Sequence, residues 1–281
     1  MIRHVLSEHH VYRRGVMETI VRPRLNDFHG ILLLQEFGLD NVIDIDLRNL
    51  VFARNILYRE VPLDDCEGRI VFGNKGHAII TVNSETSYLP RKRFSIAHEL
   101  GHFELKHREI HYDNEASLDY YKFGNQEAEA NEFASELLLP SSQFEKAVRG
   151  KAFSPLLIDD VAREFGTSLS SALFKYVDYG PHPIVVIYSY NGRVMYFRKS
   201  QAFTRRLIDF TNLPVPNNSV TEEWFKDHTV YRLDDIQTVD MAVWFDLSHR
   251  FRFDDCDEMS SMCNEHCFAS ERFNTALTVI W

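Results

Sequence analysis

Residues 98–102 read His-Glu-Leu-Gly-His. Two histidines four apart leave one face of a helix, so their imidazoles can share a single divalent cation. A glutamate beside the first histidine can hold a water against that cation and take its proton. This HExxH arrangement is the short signature of zinc-dependent peptidases. It fixes only three positions, and a surface helix with two solvated histidines would carry the same letters. The flanking residues favour the chemical reading. The segment 90–105 has the pattern of a helix, with Pro90 suited to a first turn and Phe94, Ala97, Leu100, Gly101 and Leu105 available for packing. Gly101 costs a helix about 1 kcal/mol relative to alanine. Its place between two candidate ligands makes sense if another segment packs closely there.

A catalytic zinc usually takes three protein ligands and keeps one position open, so a third donor must come from elsewhere. No HxxGxxH pattern follows Glu99, which excludes the long metzincin form. The next strong helix signal is 126–139, QEAEANEFASELLL, with Asn125 as a possible cap and Pro140 as its stop. Ala130, Phe133, Ala134, Leu137 and Leu138 form its apolar stripe. Glu127 is in line with that stripe, whereas Glu129 points elsewhere, so Glu127 is favoured over Glu129 as the third ligand. Asn131 follows Glu127 on the same face and could orient a ligand from behind. His107 and His111, in the loop after the first helix, are competing ligands.

These blocks resemble the ImmA/IrrE-type metallopeptidases. RKRFSIAHELGHFELKH at 91–107 looks like that family's helix, and EAEANEFASELLLP at 127–140 looks like its ExxANxFAxxLLxP block. HAIITVN at 77–83 is similar to the strand before the helix, and VAREFGTSLSSALFKYVDY at 161–179 resembles the helical pair that follows. The resemblance spans about residues 27–210. It implies an α+β, gluzincin-like metallopeptidase core with a small sheet, and a Zn²⁺ site of His98, His102 and Glu127 with Glu99 as the catalytic base. It also implies cleavage of a helix-turn-helix transcriptional repressor, in the setting of a phage or stress response. The long C-terminal portion is similar to the IrrE-like members, whose extra domain looks like a GAF sensor fold. The strand 78–82 is expected to be an edge strand beside the metal, able to hold an extended substrate by backbone hydrogen bonds. Tyr112, Tyr120, Tyr121, Tyr176 and His182 are all available as a second donor to a developing oxyanion. No spacing selects among them.

The chain has 281 residues, 44% of them hydrophobic, enough for more than one core. The expected organisation is an N-terminal arm at 1–24, the metallopeptidase domain with its helical pair at 25–180, and a smaller α/β regulatory or sensor-like domain at 181–281. Within these, helix is expected at 25–37 and strands at 43–46, 56–61 and 78–82. A polar insert covers 108–124, and two helices cover 154–165 and 168–179. A hairpin is expected through Asn191-Gly192, a surface loop at 211–219, and a final strand at 275–281.

A formal net charge of −10 argues against wrapping DNA or lying on an acidic membrane surface. The helical pair at 154–179 superficially resembles a helix-turn-helix, but Lys175 is the lone basic residue its second helix would expose, so direct nucleic-acid binding is not expected. The start lacks an apolar signal region and no 18-residue apolar run occurs, which makes a cytoplasmic protein the default. Cys256, Cys263, His266 and Cys267 invite a second metal site or a redox thiol cluster. Their spacing is not that of paired CxxC ligands, and an acidic loop beside helical cysteines is the plainer account. The reading that competes with a peptidase is a non-catalytic regulatory protein that keeps the fold and binds a protein partner.

Overall fold

The computed structural model describes residues 27–64, 66–73, 76–107, 119–247 and 262–281, with 27–28 and 119–125 described as backbone only. The expected N-terminal arm lies outside these residues. The described chain divides into two compact units, one of 27–144 with 161–171, the other of 145–160 with 172–281. Both are mixed α and β.

In the first unit, α1 (Asp27–Glu36) and α2 (Leu47–Ala53) precede three strands, β1 (Leu57–Val61), β2 (Gly68–Phe72) and β3 (Ala78–Asn83). The sheet order is β1-β3-β2, with β3 parallel to β1 and antiparallel to β2. The strand 78–82 is therefore central rather than an edge. Ile80, Val82 and Thr81 are all buried, so both faces of β3 are covered and its alternation is weak. The edge on the β2 side is β2 itself, a strand not anticipated because its five residues alternate between exposed and half-buried and include Gly68 and Arg69. The expected strand at 43–46 is also absent. That stretch turns into α2, where the Asp46 carboxylate caps the helix by accepting from the Arg48 backbone N–H at 3.0 Å.

Two long helices follow, α3 (Leu89–Glu104) and α4 (Asp119–Leu138). Pro90 lies in the first turn of α3, as its fixed φ favours. α4 begins before 126, so Asn125 is interior rather than a cap, and part of the expected polar insert is helical. The core of this unit joins Leu33, Leu50, Val51, Ile80, Val82, Ile96, Leu100, Phe133 and Leu137. After Pro140 a short helix, α5 (Ser141–Val148), follows; it was not expected. Its start is held by Glu136, whose carboxylate accepts from the Ser141 N–H at 2.7 Å and hydroxyl at 2.8 Å.

α6 (Pro155–Phe165) and α7 (Leu169–Tyr179) fall where two helices were expected. Lys175 is not exposed as anticipated. It is 6% accessible, with its ammonium 5.2 Å from the centroid of the Tyr179 ring. The helix therefore offers even less to nucleic acid than its sequence suggested.

The second unit holds a five-stranded sheet of order β5-β4-β8-β7-β6: β4 (Val185–Tyr190), β5 (Arg193–Lys199), β6 (Gln237–Asp240), β7 (Met262–Ser270) and β8 (Thr275–Ile280). Every pair is antiparallel, so this unit is α+β rather than the α/β expected. The β4–β5 hairpin turns at Asn191 (φ 49°) and Gly192 (φ 72°), the left-handed pair that a two-residue turn requires. The last strand, β8, lies between β4 and β7, which ties it into the sheet on both sides.

α8 (Val220–Asp227) is anchored by a buried carboxylate. Glu265 accepts from the Thr221 N–H and hydroxyl, each at 3.0 Å, and from the Trp244 indole N–H at 2.8 Å. Burial raises its pKa, which those hydrogen bonds only partly offset.

His266, the next residue on β7, is 1% accessible and packs edge-on against Phe268. Burial pushes its pKa down to about 4. A base whose folded pKa is depressed takes up its proton more readily when unfolded. Its stabilising contribution is thus present above pH 6.5 and lost as pH falls toward 4. The shift corresponds to roughly 3 kcal/mol. Urea unfolding of wild type beside His266→Leu should show a wild-type stability loss between pH 6.5 and 4 that the variant largely lacks.

Candidate metal centre

The site is built by the crossing of α3 and α4. A Cβ added to Gly101 would lie 3.0 Å from the Phe133 ring and 3.3 Å from the Ala130 Cα. Glycine is therefore what lets α4 seat directly on the turn between the two histidines. Glu127, one turn before Ala130, then arrives over them. Its carboxylate oxygens lie 3.2 Å from His98 Nε2 and 3.3 Å from His102 Nε2. The two Nε2 atoms are 3.0 Å apart. One donor atom from each of the three residues falls within 4.8 Å of the others, a group able to hold a metal ion.

The far nitrogen of each imidazole is occupied. His98 Nδ1 is 2.9 Å from Asn131 Oδ1, an oxygen that can only accept. His102 Nδ1 is 3.0 Å from His107 Nδ1, and His107 Nε2 is 3.0 Å from Glu129 Oε2. With His98 protonated at Nδ1, its Nε2 presents a lone pair. If His107 gives its Nε2 proton to the carboxylate, His102 does the same. Two lone pairs and a carboxylate then converge on one point, an arrangement that repels itself unless a cation sits there. Two imidazoles, one carboxylate and backing partners form a donor set suited to zinc.

Charge in the site follows from its burial. Burial alone would raise the Glu127 pKa, but when the imidazoles carry a proton on Nε2 the hydrogen bonds that His102 and His98 donate outweigh it and hold the carboxyl well below its usual range. Burial would lower His98, yet the Glu127 hydrogen bond and the Glu99 charge raise it. Desolvation keeps His107 below its ordinary value. Glu99 is 7% accessible and burial raises its pKa, with the histidine charges and the Ile70 backbone N–H pulling the other way. It sits against β2, where a Cβ on Gly68 would come 3.1 Å from its Oε1.

The outer edge of β2 faces the same way. The Asn83 N–H donates to the Glu67 carbonyl, and the Gly73 N–H donates to the His77 carbonyl. In an antiparallel pair this alternation points the odd-numbered residues of β2 at β3 and leaves the amides of Gly68, Ile70 and Phe72 on the outer edge. The Ile70 N–H meets Glu99 there. The sequence offered no sign of this strand beyond a short apolar run after a glycine.

Of the other candidates, Glu129 and His107 are outside the triad and stand behind His102. His111 and Tyr112 lie outside the described residues, as do the side chains of Tyr120 and Tyr121. Tyr176 packs on Phe153, and His182 Nε2 is 3.2 Å from the Lys151 carbonyl, both within the second unit. Cys263 and Cys267 lie on one face of β7 and His266 on the other, and Cys256 is not among the described residues. Burial pushes the two thiols up to about 11 and about 12, which suits inert core cysteines. No described helix is long and apolar enough to cross a membrane.

Residues 53–176 match the family described as the IrrE N-terminal-like domain, Peptidase_M78. The match agrees with the resemblance to the ImmA/IrrE family carried by the motifs of this segment. Among solved structures, a Mycobacterium tuberculosis transcriptional regulator has a similar fold, with a TM-score of 0.57 and 17% identity over 91% of this chain and 75% of that one. No curated protein sequence matches the chain.

The Gly101 contact carries a measurable consequence. In an unconstrained helix Gly→Ala would stabilise by about 1 kcal/mol. Here Gly101→Ala should destabilise by about 1–3 kcal/mol in urea unfolding, because the added methyl meets Phe133 and the α4 backbone.

Proposed function

We propose that the chain is a zinc-dependent endopeptidase that cleaves a helix-turn-helix transcriptional repressor in the cytoplasm. The observation that carries this reading is the convergence of His98, His102 and Glu127 with Glu99 beside them. The matched family, described as a peptidase, supports the hydrolytic class. A structural neighbour named as a transcriptional regulator supports the regulatory setting.

His98, His102 and Glu127 would hold the ion, which supplies Lewis acidity toward a carbonyl and toward water. Glu99 would take the proton of the attacking water and return it to the leaving amine. Its raised pKa suits both halves of that task. The outer-edge groups of Gly68 and Phe72, with the Ile70 carbonyl, would pair an extended substrate along β2, placing a scissile carbonyl near Glu99. That pairing reads backbone rather than side chains. It takes over the role that the sequence had suggested for β3. The second unit would regulate the peptidase or bind the repressor, in the manner of a sensor domain.

The test joins metal content to cleavage. Wild type should hold about one zinc per chain, and Glu127→Ala should lose affinity by more than the roughly 100-fold typical of an outer partner. Glu99→Gln should keep its zinc and lose about 10²–10⁴-fold in cleavage. A small helix-turn-helix protein encoded beside this one is the first substrate to try. Partner binding without cleavage, unchanged in Glu99→Gln, would instead establish the non-catalytic regulator.

A further inference from the structure

Glu129, His107 and His102 form a line of hydrogen-bonding groups that ends at the candidate metal position. His107 is five residues beyond His102, too far along the chain to share its helical face. It returns because α3 ends in a complete Schellman turn. The Lys106 N–H donates to the Phe103 carbonyl at 3.1 Å, and the His107 N–H donates to the His102 carbonyl at 2.9 Å. Lys106 takes the left-handed conformation (φ 56°) that this turn requires and that a side chain normally disfavours. The turn folds the His107 ring to 5.1 Å from the His102 ring, at 70°. The His107 side chain is 6% accessible, and α4 supplies Glu129 to its outer nitrogen.

We propose that His107 and Glu129 are positioning residues for His102, fixing its Nδ1–H tautomer and aiming its Nε2 at the ion. The proposal rests on the zinc reading above. The Glu129 carboxylate can only accept, so it takes the Nε2 proton of His107. His107 Nδ1 is then an acceptor and takes the Nδ1 proton of His102, leaving the lone pair of His102 on Nε2. Asn131 performs the same service for His98 directly, at 2.9 Å. The two imidazoles are thus set by different devices, one a single amide on α4, the other a histidine–carboxylate pair that ties the end of α3 to α4. Residues that the sequence offered as rival ligands are better placed as the support for one.

Zinc affinity measured by chelator competition on the full chain, with the His102 tautomer read by ¹H–¹⁵N NMR in the metal-free protein, tests this. His107→Leu keeps a branched apolar side chain but deletes the acceptor. It should weaken zinc about 10–100-fold and shift His102 away from the Nδ1–H tautomer. His107→Asn, whose Oδ1 can stand where Nδ1 stood, should recover most of the affinity and the tautomer. Glu129→Leu should match His107→Leu, and the double variant should be no weaker than either, because they break one chain of hydrogen bonds. Lys106→Gly, which keeps the turn, should bind zinc as wild type does. Wild-type affinity and tautomer in His107→Leu would overturn the proposal. So would equal loss in His107→Leu and His107→Asn, which would make His107 a ligand itself. A wild type with the Nδ1–H tautomer in place but no zinc affinity would instead remove the zinc reading and leave the orientation of His102 standing.

Discussion

Everything in the candidate site depends on the close approach of α3 and α4 at Gly101. One missing methyl lets the Phe133 ring and the Ala130 backbone press against the turn between His98 and His102. With that contact made, the helical rise of α4 brings Glu127 over the imidazoles and places Asn131 and Glu129 behind them. Phe133 and Leu100 are fully buried at this junction, so the apolar packing that stabilises the first unit also sets the position of the polar groups. All three candidate ligands come from helices, which favours a fixed geometry over an adaptable one.

The polar groups are arranged in two layers. The inner layer is three acceptors converging on a point, a costly arrangement for a half-buried site in the absence of a cation. The outer layer, Asn131 on one side and His107 with Glu129 on the other, decides which nitrogen of each imidazole carries its proton. Glu99 stands apart from both layers, buried between the helix and β2. Gly68 allows the strand to approach it closely, so the group proposed to move the proton and the strand edge proposed to hold the substrate share one boundary.

The second unit shows the same dependence on a buried polar group, used for architecture. Glu265 holds the start of α8 and the Trp244 indole at once, while its neighbours Cys263 and Cys267 lie in the core as protonated thiols. The cysteine spacing that invited a metal reading is thus explained by the period of a strand. Residues 263, 265 and 267 share a face and His266 takes the other, so the sequence neighbours do not converge.

The local pattern of the chain was enough for α3, most of α4 and the Asn191-Gly192 hairpin, and for singling out the two histidines and Glu99 as candidates. Each depends on helical or hairpin periodicity, which acts over a few residues. Glu127 could be favoured because it continues an apolar stripe, though Glu129, His107 and His111 remained as rivals until the resemblance was added. Tertiary structure alone decided that β3 is central and β2 an edge, since strand order depends on which backbones pair across a fold and not on the strands' own residues. It also decided that Asp46 ends a turn rather than a strand. The return of His107 beneath His102 likewise belongs to the fold. It requires a left-handed lysine, an unfavourable local choice that packing against α4 and the Glu129 carboxylate can hold in place.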